Sequence, residues 1–128
     1  MERPRMQVGA VTISAARGRA RELAGFYERL LGWPIAHEGP RGGWAQLHPP
    51  EGETGPTINI ESDREYERPV WPSQPGTQHA TIHLDIGVDD LDTAVAWAVQ
   101  AGATLAPDQP QDNVRVMLDP DGHPFCLC

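Results

Sequence analysis

Two places in this chain carry side chains whose types and spacing could do chemistry. The first is "HLD", His83-Leu84-Asp85, inside the alternating run "ATIHLDIG". Residues two apart on a strand project from one face, so this imidazole and carboxylate are neighbours. A carboxylate beside an imidazole sets its tautomer and leaves a usable general base near neutral pH. His79 has the same parity, and His79, His83 and Asp85 together have the composition of a two-histidine, one-carboxylate triad for non-haem iron. Four strand residues, about 13 Å, separate His79 from His83, too far for one ion unless the strand begins after His79.

The second place is the tail "DPDGHPFCLC". Asp119-Pro120-Asp121-Gly122 has turn chemistry, and a short apolar run of strand type follows it. Strand geometry puts Cys126 and Cys128 on one face with Cα atoms about 6.5–7 Å apart, at or beyond the edge of disulfide geometry. They are therefore either small core side chains or soft metal ligands in company with an imidazole. His37, His48 and His123 lie in polar or turn contexts and are expected at the surface. Asp89, Asp90 and Asp92 suit helix capping better than acid–base work. Trp97 is expected in the core. Trp71 lies in a proline-flanked connection, where it either closes a pocket or packs.

The elements that must position these residues form a repeat. "AVTISAARGRARELAGFYERLLGWPI" and "ATIHLDIGVDDLDTAVAWAVQAGATL" each run from an alternating strand through a polar turn into a helix and out through a glycine. Thr12 aligns with His83 and Phe26 with Trp97 at an offset of 71, and Gly32 with Gly102 at 70. Ala20, Leu23, Ala24, Tyr27, Leu30 and Leu31 form the apolar face of the first helix, and Leu91, Ala94, Val95 and Ala98 that of the second. Short strands follow near 35–38, 44–48 and 57–61, and again near 104–106, 114–118 and 124–128. The order β-α-β-β-β thus occurs twice, in a first module of about 8–62 and a second of about 80–128, joined by a long connection over 63–79.

The 128 residues make one domain with room for a core. Glycine and proline supply 26 of them, which favours short elements and turns over a helical bundle. A net charge of −8 argues against a nucleic-acid partner. No apolar run approaches a membrane span, and no signal peptide is visible, so a soluble cytoplasmic protein is expected.

With "FYERLLGW", "HLDIGVDDLDTAV", the "AGA" helix exit and "DPDGHPFCL" in this order, the chain resembles the vicinal-oxygen-chelate superfamily, the glyoxalase and bleomycin-resistance-like proteins. "RPVWPS" also resembles the glyoxalase-like branch of unassigned function. The resemblance implies an α+β fold of two βαβββ modules enclosing a cavity, and a homodimer. In metal-dependent relatives four strands supply one ligand each. Their positions here hold Thr12, Asn59 or Glu61, His83, and Cys126 where a glutamate is usual. The set suits a hard divalent ion poorly. The expectation is therefore a small-molecule-binding protein without a metal cofactor, its pocket drawing on Thr12, Asn59, Trp71, Asp85 and Cys126. Should a divalent metal such as zinc bind, Glu61, His83 and Cys126 would hold it. The alternative is a lyase or isomerase in which Glu61 or His83 moves a proton.

Overall fold

The computed structural model describes residues 1–128. In the first module β1 (Ala10–Ala15) leads into α1 (Ala20–Leu31), followed by β2 (Ile35–Glu38), a 3-10 turn at Pro40–Gly42, β3 (Trp44–Leu47) and β4 (Thr57–Ser62). The second module repeats the plan with β5 (Leu84–Ile86), α2 (Leu91–Ala101), β6 (Thr104–Leu105), β7 (Arg115–Leu118) and β8 (Pro124–Leu127). Each module closes into a four-stranded sheet, ordered β1-β4-β3-β2 and β5-β8-β7-β6. In both, the first strand is parallel to the fourth and the remaining pairs are antiparallel. The fold class and the doubled βαβββ order read from the sequence are those observed.

The helices form where the apolar periodicity put them. α1 ends at Gly32, whose φ of 69° lets its N–H return to the Glu28 carbonyl. Asp90, and not Asp89, caps the start of α2: its carboxylate accepts the Thr93 N–H. Leu23, Phe26 and Tyr27 of α1 press on Ile58 and Ile60 of β4, and the same 16-residue core takes in Met117, Phe125 and Leu127 of the second module. The Phe26 and Phe125 rings, 5.9 Å apart, carry that core across the module boundary. No helix is long and apolar enough to cross a membrane.

Two expectations are corrected. Trp97 is not a core residue; it is 53% exposed. It stands one position, about 100° of helix turn, from the buried Ala98, at the flank of α2. There its indole N–H donates to the Leu30 carbonyl at the end of α1. The first strand of the second module is also shorter than its alternation suggests, because β5 begins at Leu84. Leu84 pairs with Phe125, which leaves His83 level with Pro124, a residue without a backbone N–H to extend a ladder.

Candidate functional site

The turn before β8 ties the modules together. Asp119 is 1% exposed. One of its carboxylate oxygens accepts the N–H groups of Asp121 and His123, both at 2.9 Å, and the other accepts the Tyr27 hydroxyl of α1 at 2.7 Å. Asp121, 3% exposed, accepts the Ala16 N–H at 2.7 Å and faces the Arg19 guanidinium at 3.2 Å. His123 reaches the free edge of β1, with Nε2 2.6 Å from the Ser14 carbonyl. A carbonyl only accepts, so Nε2 carries the proton. Tyr66, from the connection, donates its hydroxyl to the Asp121 carbonyl and lies 3.3 Å from His123 Nε2.

Burial is the main electrostatic influence on this network. It lifts the Asp119 carboxyl above its ordinary value, opposed by His123, by the Tyr27 hydroxyl and by the backbone donors. Burial, reinforced by Asp119, also pushes both Tyr27 and Tyr66 above the usual phenol range. Both tyrosines are therefore neutral hydrogen-bonding groups at physiological pH.

Above this network a cavity of about 340 Å³ opens at the seam between the modules. One wall is β1, with Thr12 and Ser14. The opposite wall is the approach to β5, residues 78–84, with His83 at its end. Tyr27, His123 and Phe125 form the floor, and residues 63–69 around Tyr66 form a further side. The volume lies within the range of small-molecule pockets. Asp63, Glu65 and Glu67 border it and no lysine or arginine does, so the field inside favours neutral or cationic guests.

Asn59, Asp85 and Cys126, expected in the pocket, lie outside the cavity, whereas Thr12, His79 and His83 line it. Trp71 does not; its indole points toward the Asp108 carbonyl at 3.5 Å. The aromatic residue of the connection that borders the cavity is Tyr66. His123, expected at the surface, is half-buried in the floor, a correction that follows from its bond to β1.

A second group lies on the face of the second sheet away from its helix. Asp85 and Cys126 are register partners on β5 and β8, and His83 projects beside them. The ligand atoms of His83, Asp85 and Cys126 all lie within 4.8 Å of one another, with His83 Nε2 3.2 Å from Asp85 Oδ1. Burial, and then the neighbouring Asp85, raise the Cys126 thiol above its usual value. Glu61 stands outside this group. It is exposed on β4, in register with Ser14 and Trp44. His79 is also outside it, with Nε2 2.7 Å from the Gln74 carbonyl.

On the first sheet, Thr12, Asn59 and Gln46 are consecutive partners in one row. Gln46 Nε2 donates to Asn59 Oδ1 at 2.9 Å, and its Oε1 pairs with His48 Nε2 at 2.9 Å. The oxygen that Asn59 would offer an ion is thus already engaged, and Thr12 supplies only a neutral hydroxyl. A four-ligand centre for a hard divalent ion, shared between the modules as in metal-dependent relatives, does not fit these residues.

The glyoxalase-like domain family matches residues 10–128, and the chain belongs to it. The fold agrees with solved structures of low sequence identity. A glyoxalase/bleomycin resistance protein/dioxygenase family enzyme from Burkholderia phytofirmans is 18% identical, with a TM-score of 0.66 over 95% of this chain and 97% of that one. A glyoxalase-related enzyme from Fulvimarina pelagi is also 18% identical, with a TM-score of 0.65 over 94% and 86%. A glyoxalase family protein from Enterococcus faecalis is 22% identical, with a TM-score of 0.63 over 94% and 95%. No protein of curated function matches the chain.

Tyr66, Tyr27, His123, Asp119 and Asp121 did not stand out as site residues in the sequence. The signal available was the pair of aspartates and the histidine in "DPDGH". Turn chemistry accounts for that pattern without any long-range partner, and so conceals it.

Proposed function

We propose that this chain is a glyoxalase-like small-molecule-binding protein that takes a neutral or cationic organic ligand at the seam between its modules. In this reading it works without the four-ligand metal set of metal-dependent relatives. The observation that carries it is the cavity of about 340 Å³ lined by Thr12, Ser14, Tyr66, His83 and His123. Tyr27 and Phe125 offer aromatic surface to an apolar body, while the hydroxyls and imidazoles orient polar groups. By family resemblance the protein acts as a homodimer.

The test is a plug. Neutral and cationic aromatic fragments are screened by thermal shift in the presence of chelator, and hits are measured on the wild type and on Thr12→Trp. Thr12 is exposed on an edge strand, so the larger side chain should fill the cavity without disturbing the core. The expected result is binding that Thr12→Trp weakens at least about tenfold with the circular dichroism spectrum unchanged, in keeping with loss of a preformed site. Hits that bind the plugged variant equally well would place the site elsewhere.

A lyase or isomerase reading draws on one specific observation, that His83 both borders the cavity and pairs with Asp85 at 3.2 Å. In it His83 moves a proton next to a carbonyl, with Glu61 as the second acid–base group named by resemblance. His83→Ala and Glu61→Gln should then abolish turnover of any substrate found, and activity surviving both would end this assignment.

A further inference from the structure

We infer that the second module alone carries a binding site for a thiophilic divalent cation of the zinc class, formed by His83, Asp85 and Cys126. This ion site keeps only the His83 and Cys126 positions of the cross-module ligand set, takes Asp85 as its third ligand in place of the first module's contributions, and does not depend on the cavity reading.

The donor chemistry comes first. One imidazole nitrogen, one carboxylate oxygen and one sulfur make a borderline-soft set, which favours zinc over magnesium, calcium or manganese. Three protein ligands with an open fourth position is also the usual composition of a zinc site that keeps a water or takes a ligand.

Geometry comes second. Asp85 and Cys126 face each other across the parallel pair β5 and β8, so two ligands are fixed by strand register. His83 precedes Asp85 by two residues in extended chain and projects to the same side. The His83 Nε2 to Asp85 Oδ1 separation is 3.2 Å. The nitrogen–oxygen edge of a zinc tetrahedron with bonds of about 2.0–2.1 Å is about 3.3 Å. The sulfur lies within 4.8 Å of both, a gap that side-chain rotation can close. The His83 and Asp85 side chains are 51% and 65% exposed, so an ion has a path in.

Third, the alternative ligands stand aside. Glu61 is not part of the group, and Cys128, one position beyond the end of β8, has its thiol directed to the Ile86 carbonyl.

The test uses the full chain stripped with chelator, reduced, and titrated with cobalt(II) as a spectroscopic substitute. The expected result is one equivalent bound, a thiolate-to-cobalt charge-transfer band, ligand-field bands of a four-coordinate ion, and displacement by zinc. Cys126→Ser should remove the charge-transfer band. Asp85→Asn and His83→Ala should each lower affinity at least about tenfold, as loss of one of three ligands demands. Glu61→Gln and Cys128→Ser should leave affinity within about twofold, since neither side chain belongs to the coordination sphere. Absence of a charge-transfer band in the wild type would overturn the site. So would a band that persists in Cys126→Ser, or an affinity that Glu61→Gln lowers as much as Asp85→Asn does. None of these results touches fragment binding measured under chelator, so failure of the ion site and failure of the cavity are distinguishable.

Discussion

Asp119 is the residue on which the seam depends most, because it is a buried carboxylate whose partners come from both modules. Tyr27→Phe removes the hydroxyl that Asp119 accepts at 2.7 Å and leaves one carboxylate oxygen without that donor. The expected cost is about 1–3 kcal/mol in urea unfolding, the range for orphaning a buried polar group. The cost should depend on pH. Burial already raises the folded-state pKa of Asp119, and the Tyr27 hydroxyl opposes that rise. A carboxyl with a raised folded pKa contributes stability that is present below its unfolded value and lost as pH rises through the folded one. Losing Tyr27's hydroxyl raises the folded pKa further. The deficit of Tyr27→Phe relative to wild type should therefore be largest at neutral pH and shrink as pH falls toward the unfolded carboxyl value of about 4. A deficit that grew on acidification would contradict this account. Residue type alone could not have revealed Asp119, because the first aspartate of an Asp-Pro-Asp-Gly turn is ordinarily solvated. Only the tertiary partners Tyr27, Ala16 and Ser14 show that this turn is a joint.

Elements were the most legible level of the sequence. Helix starts, helix-ending glycines and the doubled strand order follow from periodicity and turn chemistry. What local pattern could not supply was the partner of each strand. β5 alternates well before Leu84 but pairs only where β8 offers a ladder. Trp97 matched Phe26 by position, yet Phe26 faces the second module through Phe125 while Trp97 sits at the flank of α2. The turn into β8 gives a test at this scale. Gly122 has φ of 95°, and a Cβ there would lie 2.5 Å from Arg68 Cγ, whose guanidinium is bonded to the Pro120 carbonyl. Gly122→Ala should lose at least about 1 kcal/mol from the left-handed backbone alone. In an Arg68→Ala background the contact part of the penalty should vanish while the backbone part remains. A neutral Gly122→Ala would mean that the turn relaxes freely.

At the scale of the whole molecule, the two modules have one core and a network of cross-module hydrogen bonds, so neither can bury its own face. Urea unfolding should accordingly be a single transition, with tryptophan fluorescence and circular dichroism coinciding. Two separated transitions would mean that the modules are independent. The family and the paired-module plan were readable from the motifs and the repeat. The cavity was not, because Tyr66, His123 and Thr12 converge from parts of the chain more than 50 residues apart. The measurement that bears most directly on that cavity is backbone amide chemical-shift mapping of a thermal-shift hit on the uniformly nitrogen-15-labelled chain under chelator. The account predicts the largest perturbations at Thr12, Ser14, Tyr66, His83 and His123. Perturbations confined to other surfaces would contradict the claim that the seam is the ligand site.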